Sequence, residues 1–136
     1  MLKRLLSIKP IGLHLGLLLL RLSSGLLMMQ YGWEKFSRYN DFVSDFPDPL
    51  GVSPPVSLGL TIFAELVCPA FIVLGWWMRL AIIPLILQLV IVLFIIHHGQ
   101  PLAEREHALS FLVPYLTLFL AGPGIYSVDR YLRGNT

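Results

Sequence analysis

Apolar residues gather along the chain in four long runs, at about 11–31, 56–78, 80–97 and 108–122, separated by shorter polar stretches. A run of roughly twenty apolar residues coiled as an α-helix matches the thickness of a bilayer core. The pattern therefore predicts an all-α chain: an integral membrane four-helix bundle, one domain over 1–136, with a long outer loop between helices 1 and 2. Pro10 opens the first run, where a proline suits the first helical turn. Pro69, Pro84 and Pro114 fall inside the later runs. Each withholds a backbone donor from the carbonyl four residues earlier and kinks its helix. For Pro69 that carbonyl belongs to Glu65. Gly75-Trp76-Trp77-Met78-Arg79 reads as a tight hairpin between the second and third helices, with tryptophans at the membrane interface. The 32–55 link interleaves Trp33, Phe36, Tyr39, Phe42 and Phe46 with Glu34, Asp41, Asp45 and Asp48. Two arrangements suit it: a short interfacial helix across one mouth of the bundle, or an aromatic belt at a helix end.

Composition agrees with the pattern. Hydrophobic residues make up 56% and charged residues 13%, against about 25% charged in soluble domains, and the mean hydropathy is +0.74. The net charge of +2 is spread over loop ends, which argues against a nucleic-acid partner. The single cysteine, Cys68, excludes an internal disulfide and a CxxC dithiol. Lys3 and Arg4 precede the first run, but no small-x-small cleavage site follows, so the run is expected to be a span and not a leader. Lys3, Arg4, Lys9, Arg79, Arg130 and Arg133 fall on one side of the predicted bundle, and Lys35, Arg38 and Arg105 on the other. The richer side predicts two cytoplasmic termini in a multi-pass protein of the cell inner membrane.

Polar residues inside the runs are the candidate functional groups, because an ionisable side chain at membrane depth is costly and is expected to have a partner. Counted from the ends of their segments, Arg21 and Glu65 each lie about ten residues in and Gln88 about eight, which at ~1.5 Å per residue puts all three near the midplane. The expected buried polar network is Arg21, Glu65 and Gln88, with an Arg21–Glu65 ion pair at its centre. A second, outer cluster gathers Lys35, His97, His98, Glu106 and His107. An ideal helix puts His97 about 180° and His98 about 80° from Gln88, so which histidine faces inward stays open. The spacing of these histidines and carboxylates matches no established metal motif, and no metal is expected.

The run LLLLRLSSGLLMMQYGWEKF resembles the opening of the DoxX family of small four-helix membrane proteins. The family pattern of an Arg, a Gly four residues on, an aromatic or His followed by Gly, and then a Lys is met by Arg21, Gly25, Tyr31-Gly32 and Lys35. The family's second-helix Glu is matched by Glu65, and its following turn by Leu74, Gly75, Arg79, Leu80 and Ala81. A third-helix terminal His is matched by His97 or His98. The fourth helix opens near Glu106 and closes on Gly122-Pro123-Gly124, Tyr126, Ser127 and Asp129. Tyr31 stands where a His is often found, and the 98–107 loop is short.

The resemblance implies similarity to a subunit of thiosulfate:quinone oxidoreductase and to proteins associated with thiol and quinone stress; distant relatives are receptors or chaperones of the secretory pathway. The leading expectation is a redox-associated inner-membrane subunit that binds a quinone or similar apolar ligand within the bundle. It carries no intrinsic cofactor, and a soluble or membrane redox partner, or the substrate, supplies electrons. Arg21–Glu65 would floor the pocket, and the outer histidine with Glu106 and Lys35 would relay protons. The alternative is a non-catalytic assembly or cargo-binding membrane protein in which the Arg–Glu pair is purely structural. Whether the chain is itself catalytic stays open, as does assembly into a homo-oligomer.

Overall fold

The computed structural model describes residues 1–96, 99 and 101–133, and the side chains of residues 102–104 stand outside that description. Among the described residues the chain is helical throughout, with no strand. A short α1 (Leu2–Leu5) precedes α2 (Leu13–Ser37), the first long helix, and α3 (Tyr39–Val43) follows it directly. The second long helix is built from α4 (Pro54–Ile62), a π-helical turn at Phe63–Val67, and α5 (Cys68–Leu74). The third is α6 (Met78–Ile91) continued by a second π turn at Val92–Ile96, the fourth is α7 (Leu102–Ala121), and a short α8 (Val128–Arg133) closes the described chain. Three of these, Leu13–Ser37, Pro54–Leu74 and Met78–Ile96, are long and apolar enough to cross a membrane. Leu15, Leu19, Leu60, Leu87 and Leu120 stay exposed on the outside of the bundle, while Met28, Ile72, Ile82, Leu85, Tyr115 and Leu118 are fully buried between the helices. Apolar surface on both sides is what a lipid-embedded bundle needs.

The helix ends differ from the sequence reading in two places. Helix 1 does not stop near residue 31 but runs to Ser37, and helix 4 begins at Leu102, well before 108. In both cases the extra turns are polar, so they continue the helix beyond the apolar run that marked it. The link after helix 1 is accordingly shorter and carries a short helix, α3, one of the two arrangements its sequence allows. Arg38 steadies that corner with exposed ion pairs to Glu34 and Asp41 and by lying over the Phe42 ring, 5.5 Å from its centroid. Asp48 anchors the entry to α4: its carboxylate accepts the Ser57 hydroxyl at 2.7 Å and the Ser53 and Val52 amides at 2.9 and 3.0 Å. These bonds, the Ser57 hydroxyl foremost, hold the Asp48 carboxyl below the usual carboxylate range.

The π turn in helix 2 has a local cause. Pro69 has no N–H to offer the carbonyl of Glu65, and its ring crowds that carbonyl. The turn widens instead, with the Cys68 amide reaching back five residues to Phe63. The widened turn brings the Glu65 main chain against helix 1 at Gly32, where a Cβ would stand 2.6 Å from the Glu65 carbonyl carbon and 2.7 Å from its oxygen. Two turns earlier Gly25 meets Val73 and the Pro69 carbonyl in the same way. Glycine is required at Gly32 because the obstacle there is backbone, which cannot rotate aside, whereas the nearest obstacle at Gly25 is the Val73 side chain.

Gly32→Ala is expected to destabilise the protein by about 1–3 kcal/mol through overpacking. It should lower the thermal unfolding midpoint in detergent. Gly16→Ala, where a Cβ would meet nothing within 4 Å, should leave the midpoint unchanged or raise it. Equal midpoints for the two variants would contradict the close approach.

Candidate functional site

The register set by the two glycines decides which polar groups meet. Gly25 opposite Val73 and Gly32 opposite Glu65 place Arg21 level with the Gly75–Trp76 turn, roughly 16 Å from the level of Glu65 at ~1.5 Å per residue. The expected Arg21–Glu65 ion pair is therefore not formed. Depth counted from the ends of the apolar runs misplaced both groups, because helix 1 continues past its apolar run.

Arg21 is 2% exposed, and its guanidinium is satisfied by main-chain carbonyls. Nη2 donates to Tyr126 at 2.6 Å, Nη1 to Pro123 at 2.7 Å and Nε to Val73 at 3.3 Å. Val73 lies in the last turn of α5, where free carbonyls present partial negative charge to a cation. Gly75, at φ +70, leaves the space: a Cβ there would stand 3.1 Å from the Arg21 guanidinium carbon and 2.5 Å from Ser127 Cβ. The segment after helix 4 is thus fastened to the helix 2–3 hairpin. Asp129 completes the fastening, its carboxylate accepting the Trp77 and Met78 amides at 2.8 and 3.1 Å and its own amide donating to Gly75. It caps the first turn of α6 from more than fifty residues away in sequence. At the helix 1 side, the Ile125 amide donates to His14 Nδ1 at 3.2 Å.

Glu65 is 4% exposed and has two different partners. Lys35 Nζ lies 2.7 Å from Oε2, and Gln88 Nε2 donates to Oε1 at 2.7 Å. Lys35 sits almost one turn beyond Gly32, and helical side chains lean toward the N-terminus, which carries its ammonium back to the level of Glu65. Glu65 and Gln88 do form one buried network, with Lys35 in the place expected for Arg21. The Gln88 side-chain oxygen, Oε1, is buried and accepts no hydrogen bond from the described residues. Tyr115 seals the layer below, its hydroxyl donating to the Ser24 carbonyl at 2.8 Å.

The outer cluster divides. Lys35 turns inward, whereas Glu106 and His107 line a cleft of about 640 Å³ between α2 and α7, together with Gln30, Tyr31, Ser110 and Phe111. His97 and His98 lie outside the described residues. Tyr31 and His107 meet edge to face with ring centroids 4.5 Å apart, and His107 and Phe111 at 5.1 Å. A second, smaller cleft of about 290 Å³ between the helix 2 π turn and α6 is walled by Phe63, Cys68, Phe71, Trp77 and Pro84. Among the described residues no three His, Cys, Asp or Glu side chains converge on a metal-sized site.

The sequence model of the DoxX family matches residues 16–98. This chain belongs to the DoxX family. The match includes Arg21, Gly25, Gly32, Lys35, Glu65, Gly75 and Gln88, so both polar clusters, apart from what α7 and the residues after it contribute, lie on family sequence. No curated protein and no solved structure matches the chain. Reasoning from residue positions did not find Tyr31 as a wall of the α2–α7 cleft or Asp129 as the cap of α6. The signal for Asp129 was present in the motif closing on Ser127 and Asp129, which is useful only once folded back onto the hairpin.

Replacing Arg21 with Met should free the three carbonyls and release the segment around 123–129, at about 1.5–3 kcal/mol per charge-assisted bond lost. Amide exchange at Ile125 and Asp129 is expected to accelerate, with amides around Glu65 unaffected. Arg21→Lys, which keeps the charge and fewer donors, should fall between. Uniform acceleration across both regions, or none, would contradict the clamp.

Proposed function

We propose that this DoxX-family membrane protein is a redox-associated subunit that binds a quinone or similar amphipathic ring in the cleft between α2 and α7. The observation that carries the reading is the make-up of that cleft. Gln30, Tyr31, Glu106 and His107 stand at one end and Leu20, Leu27, Phe111 and Pro114 along the rest. Its volume of about 640 Å³ is of the size that holds small ligands, and a few polar groups on an apolar wall are the usual way such sites orient a ring. Leu27 and Tyr31 are exposed at its rim, so a ring held there keeps its apolar tail in lipid. Tyr31 and His107 hydrogen-bond a ring carbonyl, and Phe111 offers a face for stacking. The smaller cleft beside Cys68 suits this role less well, since most of its wall cannot donate to a carbonyl. Quinone chemistry needs electrons as well as protons, and these come from a redox partner or the substrate. Orientation in the inner membrane with both termini cytoplasmic belongs to the same proposal and rests on the distribution of basic residues.

A second reading is favoured by one specific observation: Arg21, Lys35 and Glu65 are all engaged in holding helices together. A non-catalytic assembly or cargo-binding protein needs only such architecture.

Purified protein in nanodiscs, titrated with a short-chain benzoquinone, distinguishes the two. Saturable binding is expected, weakened about 10-fold in His107→Ala by loss of one hydrogen bond and abolished when Ser110→Leu fills the cleft. Absence of saturable binding, or full affinity in both variants, would sink the quinone reading and leave the architectural one.

A further inference from the structure

The bundle end that carries the helix 2–3 hairpin holds a basic groove that neither the polar network nor the α2–α7 cleft uses. The groove has a volume of about 660 Å³ and runs between the start of α6 and the chain from Ala121 to α8. Its charged lining is Arg79, Arg130 and Arg133 against Asp129, three positive groups and one negative. Both Asp129 oxygens are already taken by the Trp77 and Met78 amides, and Arg133 Nε lies 3.4 Å from Oδ1. Asp129 offsets one of these charges through its ion pair with Arg133, and the described lining still carries more positive than negative groups.

We propose that this groove binds the phosphate headgroup of an anionic phospholipid. Three features of the groove favour a lipid over a soluble anion. The Arg79 guanidinium is held in place at the groove by its Nε donating to the Phe119 carbonyl at 2.8 Å, and its Nη2 lies over Gly122, 3.3 Å from where a Cβ would stand. A fixed, planar guanidinium matches phosphate oxygens with two parallel donors. Trp76 and Trp77 are exposed beside it, at the height where indole rings sit among headgroups. Leu80, on the groove wall, is 61% exposed, an apolar surface for acyl chains immediately next to the charge. Basic pockets at helix ends are recurrent sites for such headgroups. The site is independent of the quinone reading, and either can fail without the other.

The test is native mass spectrometry of the protein released from nanodiscs of mixed phosphatidylglycerol and phosphatidylcholine. Wild-type protein should retain phosphatidylglycerol in preference to phosphatidylcholine. At about 5-fold per basic residue near a membrane surface, Arg133→Gln should weaken that preference about 5-fold and Arg130→Gln/Arg133→Gln about 25-fold. Arg130→Lys/Arg133→Lys should recover most of it. Lys3→Gln/Arg4→Gln removes the same charge from the same end but outside the groove, and should leave retention as in wild type. If the double glutamine variant does not fold, Arg133→Gln alone decides, since its side chain is half exposed. No preference for phosphatidylglycerol, an equal loss in Lys3→Gln/Arg4→Gln, or displacement of the lipid by millimolar inorganic phosphate would overturn the proposal.

Discussion

A carboxylate placed inside a lipid-facing bundle has no water to turn to, and the protein must bring it donors. Glu65 receives two, Lys35 and Gln88, and the geometry that allows this passes through three further residues. Pro69 denies the helix its regular bond and opens the π turn; the π turn carries the Glu65 main chain toward helix 1; Gly32 lets helix 1 come close enough for Lys35 to reach back. Removing one partner of such a buried pair typically costs ~3–5 kcal/mol, because the other charge is left stranded. The pair joins helices 1 and 2 directly, and Gln88 extends the tie to helix 3.

The opposite end of the bundle solves the same problem with different chemistry. Arg21 is met by carbonyls that helix ends and turns leave unpaired, so its charge organises backbone where Glu65 organises side chains. One consequence is that the chain after helix 4 becomes a structural part of the hairpin between helices 2 and 3. The same fastening shapes the basic groove, whose floor is the stretch that Arg21 and Asp129 hold. The two ends of the bundle thus rest on two separate cations, Arg21 buried and Lys35 part-buried.

Much of the fold was legible in the apolar runs: four long helices, the hairpin at Gly75 and the membrane setting follow from pattern and composition, while the short helix after helix 1 was one of two arrangements the pattern allowed. Depth was not. Arg21 and Glu65 lie equally far into their apolar runs, yet helix 1 runs on through Trp33 to Ser37 and shifts its register against helix 2. The close approach at Gly25 and Gly32 carries the true register, and in sequence those glycines look like any others in an apolar helix. The position of Lys35 beyond the apolar run suggests the outer cluster, yet its long side chain reaches back to Glu65. The π turn was foreshadowed by Pro69, whose sequence position names Glu65 as the carbonyl deprived of its donor. The Tyr31–His107 contact depends on how α7 leans on α2, which no local pattern records.

The account turns on which cation serves Glu65. Double-mutant cycles for unfolding in bicelles, pairing Glu65→Gln once with Lys35→Met and once with Arg21→Met, measure this directly. The expected result is a coupling of 0.5–3 kcal/mol for Lys35 with Glu65, the range for contacting residues, and additivity within about 0.5 kcal/mol for Arg21 with Glu65. Coupling of Arg21 and additivity of Lys35 would contradict the register and the network built on it.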